Sequence, residues 1–151
     1  MKRFSFRLDR LLHLREIAER EQARALAVAL GEEEACRAAV RQSEARLGQA
    51  REQFATLPRD LSQAGTLRNL DLTIAVLMEQ TDQLSREHEA SLERVEVARH
   101  GFEKARMARR VIERLKEHRQ LAWDADVSRL EQSELDETAI QRAQAGQGGT
   151  R

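Results

Sequence analysis

Stepping 3, 4, 3, 4 along the chain from Leu26 to Leu57 picks out Leu26, Ala29, Glu33, Cys36, Val40, Ser43, Leu47, Ala50, Phe54 and Leu57, eight of the ten apolar. Side chains at that spacing share one stripe of a helix, and a stripe sustained this long is the seam of a coiled coil. Upstream, Phe4, Leu8, Leu11, Ala18 and Ala25 keep a stripe shifted by one residue. A stutter of that kind locally unwinds a supercoil. A second seam runs Leu67, Leu70, Ile74, Leu77, Thr81, Leu84, His88, Ser91, Val95, Ala98, Phe102, Ala105, Arg109, Ile112, ten of fourteen apolar. Leu115, Trp123, Leu130, Leu135 and Ala139 continue it more loosely.

Between the seams, from Leu57 to Leu67, lies the one proline of the chain, Pro58, with Gly65 and two hydroxyls able to start a helix, Ser62 and Thr66. Proline lacks a backbone donor and disfavours helix in the residue before it. A Ser or Thr side chain satisfies the free donors of a first turn. The pattern predicts an all-α fold: a long antiparallel two-helix coiled-coil hairpin over residues 1–143. Helix 1 is expected over about 3–57, a turn over 58–66, helix 2 over about 67–143, and a flexible Gly-rich tail over 144–151.

Laid antiparallel, the two seams match when paired numbers sum to 124. Leu57 then faces Leu67, Phe54 faces Leu70, Ala50 faces Ile74 and Leu47 faces Leu77. Polar positions also fall together: Ser43 with Thr81, Glu33 with Ser91, Cys36 with His88. A shift by one heptad sets Ser43 against Leu84 or Ile74 and wastes apolar contact. At 1.5 Å per residue the helices run roughly 80 and 110 Å. In this register Met1 lies beside Trp123, so the helix beyond Trp123 has no partner within the chain. A lone helix of about twenty residues is marginal in water.

Composition fits a seam and not a thick core: 34% charged, 3% aromatic and no tyrosine. Net charge is zero but uneven. Residues 1–15 carry five Lys/Arg against one acid and residues 104–119 carry seven against two, while 16–103 carry 11 against 17 and 120–151 carry three against six. A hairpin brings the two basic blocks to one end, a solvated face or a docking surface for an acidic partner. The single cysteine, Cys36, excludes an intrachain disulfide. The longest apolar run, Ala25 to Leu30, is far short of the ~20 residues of a membrane helix. Arg7, Asp9 and Arg10 interrupt any secretory signal, and a cytosolic protein without direct membrane insertion is expected.

No catalytic constellation, cofactor motif or metal-ligand spacing is present. His13, His88, His100 and His118 are scattered, and Cys36 reads as a small seam residue. Arg106, Arg109, Arg110 and Arg114 form a basic stretch, but it lacks interleaved aromatics and Glu103, Glu113 and Glu117 dilute it, so nucleic acid is not expected as a partner. A two-helix coil covers each seam residue from one side only. The group Phe54, Leu70, Ile74 and Leu77 near the turn therefore stays partly open to a visiting apolar surface.

Two stretches carry a resemblance. One is Phe4-Ser5-Phe6-Arg7-Leu8-Asp9-Arg10-Leu11-Leu12-His13-Leu14-Arg15, with Glu16 and Ala18 after it. The other is Glu113-Arg114-Leu115-Lys116-Glu117-His118-Arg119, then Trp123, running on through Glu131 to Ala139. With the length and the single proline-glycine break, the chain resembles the flagellar export protein FliJ family. The resemblance implies a non-enzymatic coiled coil similar to the central stalk of rotary ATPases, at the cytoplasmic face of the inner membrane. Its end bearing the termini would enter the hexameric ring of the export ATPase FliI, with Phe4, Phe6, Arg7, Arg10, Arg110, Arg114, Lys116 and Arg119 as contacts. The turn-proximal seam, Ser43, Leu47, Phe54, Leu70, Ile74 and Leu77, would meet the export gate FlhA; the family's commoner pattern has aromatics on that face where this sequence has aliphatics or alanine. FliH and substrate chaperones are further implied partners. Two other readings keep the fold: the equivalent stalk of a virulence type III secretion system, and a generic coiled-coil scaffold with no ATPase partner.

Overall fold

A computed structural model describes residues 4–59 and 64–147, the side chains of 143–147 excepted. The chain is all-α. Two long helices, α1 (Asp9–Thr56) and α2 (Ala64–Gln147), pack against each other, and no strand occurs among the described residues. Ala, Leu, Glu, Gln and Arg supply strong helix propensity throughout. Gly31, Gly48 and Gly101 are absorbed without a break, all with ordinary helical backbone.

α1 opens with Asp9, whose carboxylate suits the positive end of the helix dipole. A turn formed by Asp9 N–H donating to the Phe6 carbonyl at 3.1 Å precedes it. α1 closes at Thr56, two residues before Pro58, where the Thr56 hydroxyl donates back to the Glu52 and Gln53 carbonyls at 3.0 and 3.2 Å. α2 starts at Ala64, three residues ahead of Leu67, so Thr66 sits inside its first turn and does not cap it. Helical backbone runs to Gln147, past the expected start of the tail, through Gln- and Ala-rich sequence. Ser62, residues 60–63 of the expected turn, residues 148–151 of the expected tail, and Met1 lie outside the described residues.

The chain divides into two compact units: Ala18–Ala105, and Met1–Ile17 with Arg106–Arg151. In the first, Ala29, Ser43, Leu47, Ala50, Ser91 and Val95 are buried. Four of these six are Ala or Ser, so little side chain separates the two backbones there. The expected register holds at its polar layer: Ser43 Oγ and Thr81 Oγ1 lie 2.7 Å apart. Thr81 donates its one hydroxyl proton to the Leu77 carbonyl at 2.7 Å, so Ser43 is the donor between the helices. The next polar layer differs in detail. Glu33 reaches His88, at 2.9 Å, and not Ser91, whose hydroxyl stays in its own helix on the His88 carbonyl at 2.6 Å. His88 has the reach to cross the seam and Ser91 does not.

In the second unit Phe6 and Leu12 are buried. The Phe4 ring tilts against Trp123 with centroids 5.9 Å apart. Lys116 donates to Asp9 at 2.7 Å and lies 6.0 Å from the centroid of the Phe6 ring.

Every seam position expected from Leu26 to Leu57 and from Leu67 to Ile112 is buried or half-buried. Two expectations need correction. Phe4, Leu8, Leu11 and Ala18 of the shifted upstream stripe are covered but Ala25 is exposed; a second covered track, Leu12, Glu16, Glu19, Ala23, Leu26, carries the heptad phase into the seam through polar residues. Beyond Ile112 the covered residues are Glu113, Lys116, Trp123 and Val127, whereas Leu115, Leu130, Leu135 and Ala139 are exposed. α1 begins at Asp9, opposite Lys116, and only the segment around Phe4 reaches further.

Candidate functional site

Two faces of the molecule offer something to a partner, one in each unit. The first is cationic. Arg7, Arg10, Arg110, Arg114 and Arg119 are all exposed, and among the described residues none is paired with a carboxylate. Arg106, Arg110 and Arg114 recur every fourth residue and so project from neighbouring turns of α2. Exposed guanidinium groups are screened within about 8–10 Å at physiological salt, so clustered cations act on a charged partner only at close approach. The three remaining candidates of this end hold the unit together. Phe6 is 4% exposed, Lys116 is engaged by Asp9 and the Phe6 ring, and Phe4 is half-buried on Trp123. A shallow notch beside Phe4 is lined by Ser5, His118, Arg119, Ala122, Trp123 and Asp126.

The second face is apolar and lies on α2 near its start. The candidates drawn from the seam are turned inward: Ser43 and Leu47 are buried, and Phe54, Leu70, Ile74 and Leu77 are half-buried against the opposing helix. What stands open is Leu72, Val76 and Met78, about half exposed at 58, 56 and 48%. Leu72 and Val76 sit two residues either side of Ile74, which at about 100° per residue places them on the opposite side of the helix. Seam periodicity missed these residues because it assigns one stripe per helix. The signal was there in another form: seven of the nine residues from Leu70 to Met78 are apolar. A helix apolar all round is one that expects cover all round.

Among the described residues no group of three His, Cys, Asp or Glu side chains could hold a metal ion. Cys36 is half-buried in the seam and His88 is bonded to Glu33. No helix among the described residues is long and apolar enough to cross a membrane. The arrangement offers binding faces: a cationic face in one unit, an apolar face in the other, and the end of α2 from Ser128 to Arg142, where every side chain is exposed.

A family model described as flagellar FliJ protein matches residues 4–148. No curated protein and no solved structure gives a match.

Proposed function

The chain belongs to the FliJ family and is a flagellar export component; from that premise we propose that it serves as the non-catalytic stalk of the type III export apparatus. In this role the unit containing Arg106–Arg151 enters the ring of the export ATPase FliI, and the apolar start of α2 meets the export gate FlhA. Escort of substrate chaperones, contact with FliH and residence at the cytoplasmic face of the inner membrane belong to the same proposal.

One observation carries it: the unit with the unpaired cations Arg7, Arg10, Arg110, Arg114 and Arg119 also holds helix 128–142, in which every side chain is exposed. A stretch of about fifteen helical residues with nothing packed on it is short of self-sufficiency in water. Arg110, Arg114 and Arg119 on the adjoining stretch of the same helix would give a ring channel bearing acidic groups both attraction and orientation. Within the earlier set of ring contacts, Phe6 and Lys116 then shape the unit, while Arg7, Arg10, Arg110, Arg114 and Arg119 face the partner, with Phe4 at their edge. For the gate, Leu72 and Val76 supply the exposed apolar surface, and Phe54, Leu70, Ile74 and Leu77 set the helix that presents it. Ser43 and Leu47 act behind them.

Titrating the purified protein into its cognate export ATPase, with hexamer assembly and ATP turnover as readouts, tests the ring half. The wild type should promote both. Arg110→Glu with Arg114→Glu and Arg119→Glu should weaken binding roughly tenfold or more with helicity retained. Equal binding by this variant and the wild type would show that these cations do not contact the ring. For the gate half, Leu72→Asp with Val76→Asp should lose capture by the export gate without shifting the melting curve. Retained capture would return the contact to another face.

A further inference from the structure

The outer face of α2 in the unit Met1–Ile17 with Arg106–Arg151 carries a second heptad stripe, turned away from the seam. Met107, Val111, Leu121 and Leu135 are 70, 66, 69 and 69% exposed. They fall on an unbroken 4, 3, 4, 3 track from Met107 to Ala139, and every position on that track is exposed. Such a stripe on a helix already packed through its other side has no use within the chain.

The stripe is complementary to itself when two copies run antiparallel. With paired numbers summing to 246, Met107 meets Ala139, Val111 meets Leu135 and Leu121 meets Ala125. Polar positions also meet polar ones: Arg114 lies opposite Gln132 and His118 opposite Ser128. The flanking charges agree in the main. Residues 106–119 carry six Lys/Arg against two Glu, net +4, and lie along 127–140 of the other copy, where four acids face one Arg, net −3. Arg110 falls beside Glu131, twice by symmetry; near the dyad Glu117 and Asp124 oppose, a smaller unfavourable term. A parallel pairing is disfavoured by the same residues, since it stacks Arg114 on Arg114, His118 on His118 and one basic block on the other. A shallow hollow lined by Ser128, Arg129, Gln132, Ser133 and Asp136 lies where this register puts the longer Arg114 and His118 side chains of the second copy.

We propose that this face of α2 is a docking surface for a second copy of the chain, which pairs with it antiparallel about a two-fold axis near Trp123. The interface is isologous, each copy contributing the same patch.

Sedimentation equilibrium on the full-length protein tests this. A monomer–dimer equilibrium should be measurable up to about 100 µM, and Arg110→Glu should weaken it roughly tenfold. Arg110→Glu combined with Glu131→Arg should restore it. Leu121→Asp, at a residue 69% exposed, should abolish pairing while the circular dichroism stays helical. For geometry, Leu121→Cys and Ala125→Cys chains, each in a Cys36→Ser background, are oxidised after mixing. The expected product is the mixed 121–125 disulfide. A protein that stays monomeric overturns the proposal. So does a dimer indifferent to both the charge exchange and Leu121→Asp, and so does cross-linking dominated by 121 to 121.

Discussion

Two stretches of α2 share a helix and little else. From Leu67 to Ile112 a covered side chain recurs every third or fourth residue; from Ser128 to Arg142 none is covered. Intrinsic propensity is similar in both, so the difference lies in packing. In the first stretch helical structure is secured by apolar and hydroxyl contacts across the seam, such as Val95, Leu77 and Thr81. In the second, Leu130, Leu135 and Ile140 stand in solvent. Most of a helix's stability in a protein comes from its packed face. The end of α2 is therefore where the molecule can respond to a partner, and the seam is where it cannot yield without unfolding.

Parallel substitutions in the two stretches should separate most sharply when a charge is introduced. Val95→Asp, at a residue 5% exposed, should cost about 3 kcal/mol or more in a urea titration followed by circular dichroism, because a carboxylate would be buried without a partner. Leu130→Asp should change stability by less than about 0.5 kcal/mol. If the two variants melted alike, the contrast would not be one of packing.

Truncation gives the next largest effect. Leu47→Ala should cost about 2 kcal/mol, the low end for a buried leucine because a two-helix seam covers it from one side, while Leu135→Ala should be close to neutral. Smaller again is the hydroxyl layer. Ser43→Ala removes the donor to Thr81 and should cost about 1 kcal/mol. A double-mutant cycle with Thr81→Val should show coupling, since either change alone removes the same bond. The smallest effects run in the stabilising direction. Nothing lies within 4 Å of a Cβ built on Gly31 or Gly48, so Gly31→Ala and Gly48→Ala should each raise stability by about 0.5–1 kcal/mol. Gly101→Ala should gain less, because its Cβ would lie 2.6 Å from Gln22 Oε1 and the Gln22 amide must swing away first.

The seam was legible residue by residue because heptad spacing is a direct consequence of helix geometry. Glu33, Cys36, Ser43, His88 and Ser91 were found on it despite their polarity, by phase alone. The register was legible at Ser43 and Thr81, where two short side chains can only meet if directly opposed. It was less so at Glu33 and His88, because longer side chains choose among partners a turn away. Upstream, the covered Ala18 fits the shifted stripe but the exposed Ala25 does not, because the covered Glu16 and Glu19 carry the heptad phase on to Leu26. The candidate faces were harder to read. Arg110, Arg114 and Arg119 follow from charge blocks, but that Lys116 is engaged by Asp9 and Phe6 depends on where α1 begins. Leu72 and Val76 went unread because periodicity ranks them as off-stripe, although the composition around them exceeds what one seam can use.

Hydrogen exchange on the protein, alone at a dilution where it is monomeric and then with its cognate export ATPase, reads the packed seam and the uncovered end of α2 side by side. Amides along 67–112 should be protected in both states, and those of 128–142 should exchange fast alone and slow sharply when the ATPase is added. Strong protection of 128–142 in the isolated monomer, or fast exchange there that the ATPase leaves unchanged, would contradict that expectation.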